Sequence, residues 1–198
     1  MERREVMSAA AALPAMFAAG AARAAGAGAS GAGPADGAPS GQAAQAGLPS
    51  LSRDPWLTVI AEVAAPQLFG RSGGSERRCV PILGGSASGR FDATLLPGGA
   101  DWQRVLPDGT TELEAHYALR TAAGDLVEVS GSGLRSGPPE AMRALLEGRP
   151  VDPALIYFRA AYRFSTAAPA LADFTRRLFI GVGRREPTRV SIAIYAVD

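Results

Sequence analysis

The chain has 198 residues and a formal net charge of +1, and all 20 of its basic residues are arginine. This charge excludes a strong electrostatic attraction to nucleic acid or anionic membranes, and the lack of lysine excludes Schiff-base and lysine-base chemistry. One cysteine and one histidine are too few for a zinc site built from nitrogen and sulfur ligands. We therefore predict no metal site and, since no glycine-rich phosphate loop is recognisable, no cofactor.

Residues 1–24 are typical of an export signal. Arg3 and Arg4 precede a mildly apolar run, and Ala22-Arg23-Ala24 has the small-x-small pattern of a cleavage site. The paired arginines resemble a twin-arginine signal, which predicts a periplasmic location in a bacterium and no transmembrane anchor. The alternative is an alanine-rich disordered start, in which case the protein is cytoplasmic.

The rest of the chain divides by composition. Residues 25–50 consist mostly of Ala, Gly, Pro and Ser, which offer too little apolar side-chain area to offset the entropy of ordering them. They are predicted to form a flexible linker. Residues 51–198 are long enough to bury one core and are predicted to form a single domain.

Apolar and polar residues alternate along most of this domain, which indicates strands. Two short helical segments interrupt the strands: one follows Gly137-Pro138-Pro139-Glu140 and ends at Gly148, and the other crosses residues 169–176. The strands are predicted over residues 56–63, 77–83, 90–96, 103–106, 111–121, 126–134, 156–165, 178–183 and 189–197.

The turns between these strands are short, which favours antiparallel pairing. Pro107-Asp108-Gly109 and Ala123-Gly124-Asp125 are the clearest examples. Several long antiparallel strands with one or two short helices predict a closed or nearly closed β-barrel, because closure removes exposed strand edges. A strongly bent sandwich is the alternative.

The motif Pro97-Gly98-Gly99-Ala100-Asp101-Trp102-Gln103 is predicted to be a corner of this sheet. Its proline and glycines allow a tight turn, and they deliver an acid, an indole and an amide on successive residues. The corner is therefore the first candidate for a functional site.

Several motifs together resemble the domain-of-unknown-function family 3237, over about residues 56–197. The resemblance implies a small antiparallel β-barrel and implies no particular activity. The motifs are Pro81-Ile82-Leu83-Gly84-Gly85, Leu96-Pro97-Gly98-Gly99-Ala100-Asp101-Trp102-Gln103, Pro107-Asp108-Gly109, Leu119-Arg120-Thr121, Gly137-Pro138-Pro139-Glu140, Tyr157-Phe158-Arg159 and Leu178-Phe179-Ile180-Gly181.

Asp101 and His116 are the candidate catalytic residues. Partial burial beside an indole would raise the pKa of the Asp101 carboxyl and suit it to general acid or base chemistry. The alternative is that Asp101 only accepts hydrogen bonds from the backbone of its own turn. His116 would move protons if its strand face is the lumen, and would be solvated or ion-paired if that face is outside.

Trp102, Tyr117, Tyr157 and Arg159 are the candidate ligand-binding residues. An arginine in a barrel mouth would bind a ligand carboxylate through two hydrogen bonds, whereas one on the outside is only solvated. A tryptophan is more often part of the core than of a ligand site, which is the alternative for Trp102.

The remaining arginines and the single cysteine have structural interpretations. The pairs Arg77-Arg78, Arg176-Arg177 and Arg184-Arg185 are interpreted as solvated strand ends. Cys79 is interpreted as a small buried apolar residue, because no base is recognisable beside it.

The favoured hypothesis is an exported barrel that binds a small, largely apolar or aromatic molecule, which could be an acid, in its lumen. The first alternative is a cofactor-free isomerase, dehydratase or hydratase that uses Asp101 or His116 for proton transfer. The second is a structural envelope protein, which predicts a lumen filled by apolar side chains.

Overall fold

The structure is a computed structural model that describes residues 48–198, so the predicted export signal and most of the predicted linker lie outside the described residues. Strands make up most of this part of the chain, and two α-helices and two 3-10 turns lie among them. The strands are β1 (Leu57–Val63), β2 (Gln67–Ser72), β3 (Ser75–Gly89), β4 (Ala93–Leu95), β5 (Ala100–Val105), β6 (Thr111–Thr121), β7 (Leu126–Ser136), β8 (Tyr157–Ser165), β9 (Phe179–Arg185) and β10 (Arg189–Ala196).

The strands close into an antiparallel barrel, as predicted. Neighbours follow the order β1, β10, β9, β8, β7, β6, and β6 pairs with both β4 and β5. These two strands occupy successive stretches of one position, because both also pair with β3. β3 in turn pairs with β1, which closes a ring of eight strand positions, and β2 is attached to β3 outside the ring.

β3 is longer than predicted, because the strand continues through Gly84 and Gly85 to Gly89. A Cβ on Gly85 would collide with the backbone oxygen of Ile60 on β1, and its φ of 140° is unfavourable for other residues. The glycines lie where β3 passes from its pairing with β5 to its pairing with β4. They mark a bend at close backbone approach and not the end of a strand.

Two stretches near β3 also differ from the prediction. Only Ala93–Leu95 of residues 90–96 is a strand, because the chain turns over the barrel end where Phe91 packs on Phe174, with ring centroids 5.0 Å apart. β2 was not predicted at all. Every one of its residues is exposed, so the strand has no buried face. Its sequence therefore lacks the alternation of apolar and polar residues from which strands are predicted.

The helices lie near opposite ends of the barrel. α1 (Pro139–Leu146) follows β7, and its buried Met142 lies beside Gly109 of the β5–β6 turn. α2 (Ala172–Thr175) lies between β8 and β9. Within residues 48–198, no helix is long and apolar enough to cross a membrane.

The end of the barrel near α2 is filled by aromatic rings, which we call the aromatic end. Phe174 of α2 packs against the rings of four residues that come from different strands and loops. Their centroids lie 5.0 to 5.4 Å from that of Phe174. The four residues are Trp56, Phe91, Phe164 and Phe179.

Candidate ligand site in the barrel interior

The inner face of the strands encloses a small cavity of about 50 Å³. Most of its walls are valine, isoleucine, leucine and aromatic side chains. Four inward positions on different strands carry alanine or glycine instead: Ala61, Ala115, Gly131 and Ala160. An eight-stranded barrel is just wide enough for ordinary side chains to fill it, so small residues at these positions leave space inside.

Polar and charged side chains gather at the end of the barrel opposite the aromatic end, and we call this group the charged cluster. Antiparallel pairing places the first half of β3, the short strand β5 and the last residues of β7 and β9 toward the same end. Arg78 and Arg135 are only 5% and 3% exposed, whereas Arg185 is half-buried. The cluster consists of Arg78 from β3, Asp101 and Gln103 from β5, Arg135 from β7 and Arg185 from β9.

A chain of hydrogen bonds fixes one side of the cluster. Arg78 and Gln103 are direct cross-strand partners, and Arg78 Nε donates to Gln103 Oε1 at 2.8 Å. Gln103 Nε2 in turn donates to Asp101 Oδ2 at 2.5 Å. The Gln103 amide thus holds the Asp101 carboxylate in one orientation. It also links that carboxylate to the Arg78 side chain through two successive hydrogen bonds.

The other side of the cluster has buried polar atoms without partners. Among the described residues, nothing forms a hydrogen bond with Asp101 Oδ1, Arg135 Nε or Arg185 Nη1. Buried polar atoms in folded proteins almost always have a partner, because leaving one without costs free energy. The unpartnered atoms belong to residues that line the cavity.

Burial shifts the acid–base properties of the cluster. It raises the pKa of the Asp101 carboxyl, and the Gln103 hydrogen bond and the three arginines oppose this rise. Burial and the neighbouring arginines lower the pKa of Arg135 to about 10, against the effect of Asp101, so Arg135 keeps its charge at neutral pH. Desolvation is also the main cause of the lowered pKa values of Arg78 and Arg185.

Two tyrosines complete the interior. Burial raises the pKa of Tyr117, whose hydroxyl has no hydrogen-bond partner among residues 48–198. The ring of Tyr162 lies between Gly131 and Gly181, and a Cβ on either glycine would collide with it. Glycine at both positions lets the ring lie along the barrel wall instead of across the cavity.

The structure places two of the predicted site residues in this interior. Asp101 and Tyr117 both line the cavity, on neighbouring strands β5 and β6. The Asp101 carboxylate accepts a hydrogen bond from the side chain of Gln103 and none from the backbone of its own turn, which was the alternative interpretation.

The structure does not bring the other four predicted residues to the cavity, because strand alternation turns each of them outward. Trp102 is 44% exposed and its ring centroid lies 5.5 Å from that of Phe69 on β2. Tyr157 is 54% exposed, and the guanidinium carbon of Arg159 lies 5.2 Å from the centre of its ring on the outer surface.

His116 also lies on the outer face of the barrel. Its Nε2 lies 2.7 Å from Glu128 Oε1 on the neighbouring strand β7, and both side chains are more than half exposed. Of the two interpretations of this residue, the ion-paired outer position is the one observed.

Sequence reasoning missed most of the charged cluster. Arg78 and Arg185 were interpreted as solvated strand ends, and this was wrong for both, because only one member of each arginine pair points outward. The signal was present: Arg78 alternates in step with buried Val80 and Ile82, and Arg135 in the same way continues the inward set of β7. Periodicity weighed above residue type would have assigned them to the interior.

Two further observations bear on the chemistry of the fold. Cys79 is a free cysteine and is buried, as predicted. Within the described range, no three His, Cys, Asp or Glu side chains lie close enough together to hold a metal ion. The charged cluster, with one carboxylate and three guanidiniums, is suited to anions and not to cations.

Comparison with known proteins connects this architecture to one family. The family described as "Protein of unknown function (DUF3237)" matches residues 51–197. A UPF0311 protein of Bradyrhizobium diazoefficiens is 37% identical over 149 residues, which cover 75% of this chain and 98% of that protein. The matched region is therefore nearly the whole of that relative and three quarters of this chain.

Solved structures share the fold. The crystal structure of a conserved protein of unknown function from Rhodopseudomonas palustris has a TM-score of 0.70 and 39% identity, over 76% of this chain and 99% of that one. A β-barrel-like protein from Acinetobacter baumannii has a TM-score of 0.67 and 28% identity, over 78% and 100%. Because the family match spans every strand of the barrel and agrees with these relatives, the chain belongs to the DUF3237 family.

Proposed function

We propose that the protein binds a small, largely apolar or aromatic molecule inside its barrel. One observation carries this proposal: an apolar cavity ends in buried polar atoms that have no partner within residues 48–198. Sites for small molecules have this composition, with mostly apolar walls and a few polar groups that fix the orientation of the ligand. The apolar walls would supply affinity, and the charged cluster would select one end of the ligand.

The cavity also separates this proposal from a structural role. A structural barrel predicts an interior filled by apolar side chains, because filling maximises the contacts that stabilise it. The alanine and glycine positions described above leave the interior incompletely filled. The small side chains of Ala61, Ala115 and Ala160 border this unfilled space.

The first test is mass spectrometry of small molecules released by denaturing the protein after purification from its native host. A stoichiometric apolar or aromatic compound is the expected result. If the purified protein carries no compound, and none of a panel of small aromatic compounds raises its melting temperature, the proposal fails and a structural role is favoured.

A matched pair of variants locates the binding. Ala115 lines the cavity between Asp101 and Gly131 in the sheet register, whereas Ala118 lies on the outer face of the same strand. Ala115→Leu fills part of the cavity and is expected to weaken binding at least tenfold, and Ala118→Leu is expected to leave it unchanged. Equal effects of the two substitutions would place the ligand elsewhere.

A second candidate function is proton transfer by Asp101, as in the isomerisation, dehydration or hydration of a carbonyl compound. The observation that favours it is the free Oδ1 atom of a buried carboxyl whose pKa is raised. A general acid or base needs such a pKa, nearer to the working pH, and an atom that can reach the substrate. His116 lies outside the cavity, so this proposal depends on Asp101 alone.

Asp101→Asn separates the two functions, because the amide keeps an acceptor for Gln103 but cannot take up a proton. The compound released from the native protein would be incubated in D₂O with the native protein and, separately, with the Asp101→Asn variant. Deuterium incorporation beside its carbonyl would be followed by NMR. Proton transfer predicts incorporation that the substitution abolishes while binding persists. Binding without incorporation by the native protein would reject the enzyme and leave the binding function in place.

We also propose that the barrel is exported through residues 1–24. The family match begins at residue 51, which supports a segment before the barrel with a separate task. Fractionation of cells that express the full chain tests the proposal: the protein is expected in the periplasm, and Arg3→Lys with Arg4→Lys is expected to retain it in the cytoplasm. Cytoplasmic localisation of the unsubstituted chain would overturn it.

A further inference from the structure

The charge inside the barrel is unbalanced. The charged cluster contains three arginines and a single carboxylate, Asp101. Glu76 raises the pKa of Arg78 from the edge of the cluster, and it is half-buried. Even with Glu76 included, the described side chains at this end of the cavity carry more positive than negative charge.

Each of the two arginines that line the cavity has a buried nitrogen without a partner, although Arg185 Nη2 donates to the backbone oxygen of Pro187 at 3.3 Å. Arg78 is held by Gln103, whereas Arg135 Nε and Arg185 Nη1 have no hydrogen-bond partner among the described residues. Burying a guanidinium without a partner is costly, because its hydration is lost and nothing replaces it. An anion between these side chains would supply the missing charge and the missing acceptors.

The planar guanidinium group matches a carboxylate best. Two parallel N–H groups of arginine can bind both oxygens of one carboxylate, which gives a charge-assisted contact of defined geometry. A phosphate dianion fits less well, because Asp101 lies in the same cluster and repels the additional charge. The apolar walls around the cluster require that the remainder of the ligand is hydrophobic.

We propose that the ligand of the barrel is an apolar or aromatic carboxylic acid whose carboxylate binds between Arg135 and Arg185. This inference depends on the proposed binding function and specifies its ligand class. The acid would enter with its carboxylate toward the charged cluster and its apolar part toward the aromatic end.

The same geometry predicts that binding depends on pH through Asp101. The charged and titratable groups around Asp101 are Arg78 and Cys79 on β3, Tyr117 on β6, Arg135 on β7, Tyr162 on β8 and Arg185 on β9. A bound carboxylate adds negative charge there and favours the protonated form of Asp101, so binding takes up a proton. Affinity for the acid therefore falls as the pH rises through the pKa of Asp101.

A pair of probes tests the inference: 2-naphthoate and its neutral analogue 2-naphthamide, titrated calorimetrically into the full chain. The carboxylate is expected to bind at least about tenfold more tightly than the amide, which corresponds to one charge-assisted hydrogen bond. Equal or tighter binding of naphthamide would overturn the inference and leave the proposed binding function intact. Failure of both probes, together with an empty native protein, would overturn both.

Variants assign the preference to the cluster. Arg185→Gln is expected to remove the preference for naphthoate while leaving naphthamide binding unchanged, and Arg184→Gln, the exposed neighbour, is expected to keep it. Asp101→Asn is expected to bind naphthoate more tightly than the native protein and without the pH dependence. If Arg184→Gln and Arg185→Gln behave alike, the anion does not bind at the cluster and the inference is rejected.

Discussion

The two ends of the barrel differ in how completely their buried side chains are packed and paired. At the aromatic end, each ring contacts others at centroid distances of 5.0 to 5.5 Å, mostly edge to face, and the guanidinium carbon of Arg90 lies 3.3 Å from the centre of the Trp56 ring. At the charged end, three buried polar atoms have no partner within the described part of the chain. One end is packed as a core, and the other is left incomplete.

This difference indicates where stability and binding reside. Aromatic packing contributes free energy of folding directly, through apolar burial and ring–ring contacts. Buried charges without partners oppose folding, and proteins retain such groups mainly where a ligand uses them. We therefore expect substitutions at the aromatic end to change stability, and substitutions at the charged end to change binding with little loss of stability.

The largest expected effect is at the centre of the aromatic end. Phe174→Ala removes a ring that is 3% exposed and contacts four others, and it is expected to lower the free energy of unfolding by about 3–5 kcal/mol. Urea unfolding followed by tryptophan fluorescence measures the change. Phe69→Ala is the control, because that ring is 61% exposed and its loss should cost far less. Similar losses for both would show that the aromatic end is not the stabilising core.

At the charged end, a substitution is expected to leave the free energy of unfolding unchanged or to raise it. Arg135→Met keeps the apolar stem of the side chain and removes a buried charge that lacks a full set of partners. The free energy of unfolding without ligand is expected to stay unchanged or to rise by about 1 kcal/mol, as with other buried charges replaced by apolar residues. Chemical denaturation of ligand-free protein tests this. A loss of more than about 2 kcal/mol would mean that Arg135 has a structural role, since loss of a needed partner costs that much.

The sequence allowed the barrel to be predicted because its signals are local and repeated. Alternation in the strands that became β1, β6 and β8, together with the glycine-containing turns, indicates antiparallel neighbours and hence closure. The interior arginines and strand β2 were not predicted, for two different reasons. Arginines at strand ends suggest solvent, and an exposed strand such as β2 has no alternation, although Gly73-Gly74 before β3 is a hairpin signal.

The site was harder to predict than the fold, because its members are far apart in sequence. Asp101 stands out locally by its glycine-rich approach, and Tyr117 by its strand pattern. The arginines become a cluster only when the start of β3 and the ends of β7 and β9 lie at the same side of the barrel. Trp102 and His116 attracted attention by their chemical type, but their strand positions place them outside.

A smaller effect is expected from Asp101 and depends on pH. Since the pKa of Asp101 is raised in the folded state, the folded protein binds a proton more tightly than the unfolded chain does. Its contribution to stability is therefore complete below the unfolded value of about 3.9 and is lost as the pH rises through the folded value. Asp101→Asn removes this dependence. Urea unfolding between pH 4 and pH 7 should show the variant gaining on the native protein as the pH rises, and a parallel pair of curves would contradict the raised pKa.

The smallest effect is expected on the outer surface, which belongs to neither end. His116→Ala breaks a hydrogen bond with Glu128 in which both side chains are more than half exposed, so water replaces most of what is lost. We expect a change of less than about 0.5 kcal/mol in the free energy of unfolding, and no change in the affinity for a ligand of the cavity. Calorimetric titration and urea unfolding of the same preparation measure both. A tenfold loss of ligand affinity in this variant would mean that His116 contacts the ligand. The ligand would then have to bind on the outside of the barrel, because the strand alternation that points Tyr117 inward points His116 away from the cavity.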